Sequence, residues 1–366
     1  MALNIGVIAG DGIGPEVVSA ALEVLKTAAG RMGLEYQLTD LPYGGAHYLK
    51  TGQVISDEQV EQLRTFDALF LGAVGHPDVP PGVLEKGLLL KLRFQLDQYI
   101  NLRPVRLYEG VQSPLVGKGP EQIDFVVVRE NTEDLYTGAG GIARKGTAQE
   151  VATQQMLATR FGVERCCRYA FELARSRKAR GSGRGQLTLV HKTNVLTHAG
   201  DLWFRAFNEI GEADYGDIER QYHHVDACCM YMVARPELYD TIVVPNMFGD
   251  IITDLGAAIA GGMGLAASGN LNPGGTAPGM FEPVHGSAPD IAGQNKANPI
   301  ATVISLAMLL DQSGRQKGLE AATKAAEAID RAVSVVCKDL SGQSMDRLSI
   351  GTDKVAQQLI EALPKA

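Results

Sequence analysis

An α/β fold of two domains, with buried strands separated by helices, follows from three observations on this sequence. Short apolar runs alternate with stretches of helical periodicity along nearly the whole chain. Each run is bounded by a polar or glycine-containing loop, as buried strands are. The length, 366 residues, suggests two domains at about 150 residues each. Taken in order, residues 5–9 (IGVIA) read as the first strand. Gly10-Asp11-Gly12-Ile13-Gly14 then turns the chain, and Pro15 suits a first helical turn. The helix from Glu16 to about Arg31 sets Val17, Ala20, Ala21, Val24 and Leu25 on one stripe. Further buried strands are expected at residues 67–73, 123–128, 187–191 and 241–244. In such sheets functional groups project from loops at the carboxyl ends of strands. Residues 176–185 (SRKARGSGRG) read as a basic, solvated surface loop.

Composition narrows the classes of function. With 34 Lys+Arg against 42 Asp+Glu, the formal charge is −8, a poor electrostatic match for nucleic acid or anionic lipid. Five cysteines, four of them in the adjacent pairs Cys166–Cys167 and Cys228–Cys229 and none in a C-x-x-C, argue against disulfides and thiolate zinc. The first residues carry no signal-peptide pattern, and no apolar run approaches the ~18 residues of a membrane span. A cytoplasmic protein is expected. Glycine is over-represented, 42 residues against a usual level of about 7%, and it clusters at Gly10-Gly12-Gly14, at Gly138-Gly140-Gly141 and between residues 256 and 293.

Four constellations carry chemistry. The first glycine cluster is spaced G-x-G-x-G, not G-x-G-x-x-G, and Pro15 follows at once, so a tight turn is favoured over an ordinary Rossmann nucleotide loop. Arg93, Arg103 and Arg129 stand near predicted structural edges, where guanidinium groups suit bidentate carboxylate binding as well as plain surface ion pairs. Asn246-Met-Phe-Gly-Asp250-Ile-Ile-Thr-Asp254 puts two carboxylates at i and i+4 on one helical face. With Asp226 they form either an oxygen-only Mg²⁺ or Mn²⁺ set or a helix start favoured by its dipole. Finally, Glu282-Pro-Val-His285-Gly286-Ser-Ala-Pro-Asp290-Ile-Ala-Gly293, ending at Asn298-Pro299, is either a long surface loop or one that wraps an adenosine and its phosphates.

Together the segments AGDGIGPE, NLRPVRLY, VVRENTEDLY, HKTNVL, NMFGDIITDL and EPVHGSAPDIAG, in this order across nearly the whole chain, resemble the β-decarboxylating 2-hydroxyacid dehydrogenases. That family includes the isopropylmalate, isocitrate, homoisocitrate, tartrate and D-malate enzymes. The resemblance implies an isopropylmalate/isocitrate dehydrogenase-like fold: two domains sharing a mixed sheet, with residues 1–98 and 261–366 binding NAD and residues 99–260 forming a homodimer interface. It implies that Arg93, Arg103 and Arg129 hold the substrate carboxylates and that Asp226, Asp250 and Asp254 ligate Mg²⁺ or Mn²⁺. Tyr136 and Lys192 would be the acid–base pair, with Asp226 assisting, and Lys192 and Asp226 would come from the neighbouring subunit. Glu282, His285, Gly286, Ser287, Ala288, Pro289, Asp290, Ile291, Ala292, Gly293 and Asn298 match the cofactor site, and Asp290-Ile291 favours NAD over NADP. Leu89 and Leu90, with Leu88 and Leu92, would form a greasy wall for an isopropyl group, unless that stripe is simply core. The expected activity is NAD-dependent oxidative decarboxylation of 3-isopropylmalate in leucine biosynthesis. The alternatives are a relative acting on isocitrate, homoisocitrate, tartrate or D-malate and, from another class, a non-catalytic subunit.

Overall fold

A computed structural model describes residues 2–346 and 348–365. The chain divides into two compact units, one of Met1–Gln98, Arg106–Pro120 and Ala257–Ala366, the other of Tyr99–Val105 and Glu121–Gly256. It begins with β1 (Leu3–Gly10), α1 (Gly14–Met32), β2 (Tyr36–Asp40), α2 (Gly45–Thr51), α3 (Asp57–Leu63) and β3 (Ala68–Ala73). A π-helical stretch, Glu85–Leu90, continues into α4 (Lys91–Gln95). Next come β4 (Ile100–Arg106), β5 (Asp124–Glu130), β6 (Gly140–Ala143), β7 (Val151–Gln154), α5 (Arg160–Ala179), β8 (Gln186–His191) and α6 (Thr197–Asp214). They are followed by β9 (Glu219–His224), α7 (Val225–Ala234), β10 (Thr241–Val244) and α8 (Asn246–Ile259). The last segment holds β11 (Ala267–Leu271), β12 (Gly279–Pro283), α9 (Ile300–Lys317), α10 (Glu320–Asp339) and α11 (Thr352–Ala362).

In the first unit the strands lie in the order β2-β1-β3-β12-β11. All neighbours are parallel except β11 and β12, which run antiparallel. In the second unit the order is β4-β5-β10-β8-β9, with β10 parallel to β5 and β8, and β8 parallel to β9. This is the mixed α/β architecture expected from the sequence. Every residue of β3, β8 and β10 is buried, which suits the unbroken apolar run of β3 (ALFLGA), while β8 and β10 also bury Gln186, Thr188, His191 and Thr241. The stripe of α1 is buried as its periodicity predicts, and Gly33 in the left-handed region ends the helix. Each fully buried Val or Leu contributes about 1.5–3 kcal/mol.

Two expectations change. Residues 176–179 are not loop: α5 runs through Ala179. The turn that follows is fastened by buried Asp240, whose carboxylate accepts from the backbone N–H groups of Arg184, Gly185 and Gln186 and from Arg177. The leucine stripe also splits. Leu84, Leu88, Leu92 and Leu96, four residues apart, point into the core of the first unit with Ile8, Val54 and Met280. Leu89 packs only partly against that core, and Leu90 is half-buried. The first glycine cluster serves close backbone approach. A Cβ on Gly10 would lie 1.9 Å from the Ala73 carbonyl oxygen, and one on Gly12 1.9 Å from that of Ser287. All five cysteines are free thiols. Among the described residues, no helix is long and apolar enough to cross a membrane.

Candidate active site

The second unit gathers charge at the carboxyl ends of its parallel strands. Arg129 is the sixth of seven residues in β5, and the register pairs it with Val244, two residues before α8 begins. A side chain at this strand end reaches the first turns of the helix. Arg129 is 1% exposed. Its Nε donates to Asn246 Oδ1 at 2.9 Å and its Nη1 to Asp250 Oδ1 at 2.5 Å. The guanidinium also lies 5.2 Å from the centre of the Tyr136 ring, and the Tyr136 hydroxyl donates to Asp250 Oδ2 at 3.0 Å. Arg103 joins from β4. Its Nη1 donates to Thr253 Oγ1 at 2.7 Å, its Nε to Asn101 Oδ1, and it lies 3.9 Å from Asp250 and 3.8 Å from Asp254.

The helical spacing therefore works as expected: Asp250 and Asp254 share a face of α8, and Arg103 lies near both. Asp134 fixes the loop that carries Tyr136. Its backbone is left-handed (φ 70°), and its Oδ2 accepts from the Met247 N–H at the start of α8. Electrostatics separates the two aspartates. Burial raises the pKa of Asp250, but Arg129 and Arg103 outweigh it and hold the carboxyl below its usual range. Asp254 is shifted up, by burial first and by the neighbouring Asp250 charge. Burial also raises the Tyr136 pKa, so its phenol stays protonated and is a proton donor. Two carboxylates with only oxygen to offer suit a hard divalent cation. Among the described residues, however, no three His, Cys, Asp or Glu side chains come together as a cage.

Lys192 and Asp226 form their own pair, Nζ to Oδ1 at 2.6 Å. Lys192 follows β8, and Asp226 is the second residue of α7 just after β9. The hydrogen bond from Lys192 is the main reason the Asp226 carboxyl titrates below its ordinary range. Beside them, the buried imidazole of His191 accepts the Lys192 backbone N–H at Nδ1, 2.8 Å away. Burial pushes the His191 pKa down to about 4. Between that value and the unfolded ~6.5, the unfolded chain holds the extra proton, so stability is complete above pH ~6.5 and falls with acidification, by roughly 3 kcal/mol in full. Denaturant unfolding at pH 7 and pH 4.5 checks this. The drop shrinks in His191→Asn; an unchanged drop would mean that the imidazole is not the group responsible.

In the first unit, Arg93 pairs with Glu282 at 3.3 Å, both side chains nearly buried, and Asn270 also donates to Glu282. Residues 285–298 form an irregular loop between β12 and α9. The His285 Nδ1–H donates to the Gly286 carbonyl at 3.1 Å, so Nε2 is the acceptor nitrogen, and it is buried with no hydrogen-bond partner among the described residues. That orphan lone pair suits a hydroxyl donor such as a ribose. Gly286, Pro289, Asp290 and Gly293 are exposed, Ser287 is buried, and Ala288, Ile291 and Ala292 are half-open. Ala288 and Ile291 pack on Ile13, Val17 and Ala297. Asn298 is committed to structure: its Nδ2 donates to the Met345 carbonyl and its Oδ1 accepts the Ile300 N–H at the start of α9.

Several residues at these sites escaped the sequence reading. Asn246 and Thr253 steady the two arginines. Asp11, between the first two glycines, accepts from the backbone of Gly45 and Gly75 and so ties three loops together. Glu16 accepts the Asn295 and Ala297 N–H groups, fastening the 285–298 loop to α1. A carboxylate beside glycines or at a helix start was the available signal, but its partners lie far away in sequence.

Residues 4–360 match the family described as isocitrate/isopropylmalate dehydrogenase. A 3-isopropylmalate dehydrogenase of Thermobifida fusca is 52% identical over 98% of both chains. Another, from Mycobacterium marinum, is 50% identical over 98% of this chain and all of its own. Among solved structures, an isocitrate dehydrogenase from Methylococcus capsulatus superposes with a TM-score of 0.84 at 35% identity, covering 98% of this chain and 99% of its own. Identity of this extent over the whole chain, on a fold whose strand ends carry the same arginines and aspartates that the motifs marked, makes the assignment: the chain belongs to the isocitrate/isopropylmalate dehydrogenase family and is a decarboxylating oxidoreductase acting on a small molecule.

Proposed function

We propose that the protein is an NAD-dependent 3-isopropylmalate dehydrogenase of leucine biosynthesis, oxidising its substrate at C2 and releasing CO₂ to leave 4-methyl-2-oxopentanoate. The observation that carries this reading is the grouping of Arg103, Arg129 and Tyr136 around Asp250 and Asp254. Two guanidinium groups beside paired carboxylates suit an anionic hydroxy acid held together with a cation. In this reading Arg93, Arg103 and Arg129 bind the substrate carboxylates. Asp250 and Asp254, with Asp226 of the partner subunit, would hold Mg²⁺ or Mn²⁺, which when bound acidifies the 2-hydroxyl and stabilises enolate charge. Lys192, likewise of the partner subunit, accepts the hydroxyl proton, C2 gives up its hydride to NAD, and loss of CO₂ leaves a carbanion equivalent that Tyr136 protonates.

Residues 285–298 are proposed as the NAD loop, with residues 1–98 and 261–366 as the cofactor-binding domain. Glu282, its carboxylate already engaged with Arg93 and Asn270, borders that loop. Asp290 is exposed and would repel a 2′-phosphate. A homodimer built on residues 99–260 is favoured by the two-stranded β6–β7 ribbon, exposed on both faces, because isolated ribbons are marginal in water. The apolar side chains of Phe161, Val195 and Met230, each well exposed, point the same way.

Leu89, partly buried against the core of the first unit, and Leu90, half-buried, are proposed to face the C3 substituent. An apolar wall would leave the extra carboxylate of isocitrate unpaired, a cost of several kcal/mol. Accordingly kcat/KM should be at least about a hundredfold higher for 3-isopropylmalate than for isocitrate, homoisocitrate, tartrate or D-malate. Steady-state kinetics on the five acids checks it, and higher activity on isocitrate overturns the substrate assignment.

A further inference from the structure

Lys192 lies in a turn held from both sides. It follows β8 directly, and its carbonyl accepts the N–H groups of Val195 and Leu196 at 3.1 and 2.9 Å, so residues 192–196 fold into one tight loop before α6. Its own N–H goes to His191 Nδ1 at 2.8 Å. That bond fixes the His191 ring as the Nε2–H tautomer. The ring is wedged edge-on to Phe248, with centroids 5.9 Å apart, and near Trp203. The next residue, Thr193, is held by Tyr222. Its backbone N–H donates to the Tyr222 hydroxyl at 3.2 Å, and its Oγ1 lies 2.8 Å from the same oxygen.

The Tyr222 hydroxyl also reaches His224 Nδ1 at 2.9 Å. His224 is the last residue of β9 and the residue before α7, and Asp226 lies two positions on. β8 and β9 are parallel neighbours in which Leu189 pairs with Tyr222 and His191 with His224. A tyrosine two residues from the end of β9 therefore extends its hydroxyl to the level where both strands end. That one oxygen bonds the loop carrying Lys192 and the segment leading into Asp226. The Tyr222 ring is itself set edge-on between Phe204 and His224, with centroids 5.5 and 5.2 Å away. Its two-torsion side chain thus has little freedom to move.

We infer that Tyr222 and His191 are positioning residues for Lys192: the phenol and the imidazole hold the backbone on either side of the lysine, so that its Nζ meets Asp226 and the substrate hydroxyl in register. Neither touches the reacting atoms. The inference rests on the reading of Lys192 as the proton acceptor. Proton transfer is steep in distance, and a misplacement of about 1 Å costs up to about a hundredfold in rate. Thr193 N–H, deprived of the phenol, would seek another acceptor and take the loop with it.

The test is Tyr222→Phe, measured with NAD and the 2-hydroxy acid the enzyme oxidises fastest. Expected is a fall in kcat of about ten- to a hundredfold, with KM for acid and NAD within twofold and the melting temperature nearly unchanged. A companion pair tests the other side: His191→Asn keeps an acceptor for the Lys192 N–H and retains most of kcat, whereas His191→Leu, of similar bulk, loses it. Tyr222→Phe with kcat within twofold of the parent, or with the whole loss in KM, overturns the proposal. So does equal kcat in His191→Asn and His191→Leu, a comparison that still decides if Tyr222→Phe proves unstable. Lys192→Met is the separate control. Should it keep full turnover, the assignment of Lys192 fails, whatever Tyr222 does.

Discussion

Replacing Lys192 with methionine should lower kcat by two to four orders of magnitude, the range for losing a general base, while KM for the acid and for NAD changes little. Methionine keeps an unbranched apolar stem in the same space, so the loop it stands on has no reason to collapse. What disappears is the Nζ that pairs with Asp226 at 2.6 Å and that, once it has given up its proton, serves as the base. The Asp226 carboxyl, held low chiefly by that hydrogen bond, should then titrate higher. The pair is substantially exposed in a single chain, so its own contribution to folding is small. A large loss of turnover without loss of stability is therefore the discriminating result. Pre-steady-state kinetics completes the check: the hydride step itself must become slow, because slow product release alone would not implicate the lysine.

Replacing Arg129 with lysine should cost about two orders of magnitude in kcat/KM, mainly through KM for the acid, with KM for NAD unaffected. The substitution preserves the charge, so a large effect isolates geometry. Arg129 spans Asn246 and Asp250 with separate nitrogens of a rigid fork and lays its plane near the Tyr136 ring. An ammonium is a point donor that cannot do these together and also meet a carboxylate bidentately. Each lost charge-assisted bond is worth about 1.5–3 kcal/mol, and one such bond accounts for the predicted loss. The position is almost fully buried, so some stability is lost as well. Titration of the acid against Arg129→Lys by calorimetry separates weak binding from slow chemistry. Unaltered affinity would remove Arg129 from the binding role.

Much of this site is legible from local chemistry. The four-residue spacing in NMFGDIITDL places Asp250 and Asp254 on one face whatever the helix packs against, because helical geometry is set within a few residues. The apolar runs ALFLG of β3, FVVV of β5 and IVV of β10 announce strands covered on both faces, and Arg129 stands at the end of one of them, whereas Lys192 and Asp226 follow the more polar β8 and β9. The leucine stripe shows the limit. Periodicity identifies Leu88 to Leu92 as apolar surface, yet only packing separates Leu88 and Leu92, which fill the core, from Leu89 and Leu90, which do not.

By itself, then, the sequence determined the α/β class, the existence and approximate limits of β1, β3, β5, β8 and β10, and the residue types proposed to do the chemistry. Each of these is a property of neighbours along the chain: periodicity, turn residues and a motif's internal spacing. Tertiary structure decided which groups meet. That Tyr136 reaches Asp250 depends on β5 lying beside β10 in the register that sets Arg129 against Val244. That Tyr222 steadies Thr193 depends on β8 and β9 being parallel and level at their ends. Strand pairing is bought with loop-closure entropy across dozens of residues and is rewarded only by the whole sheet. No short window of sequence contains it.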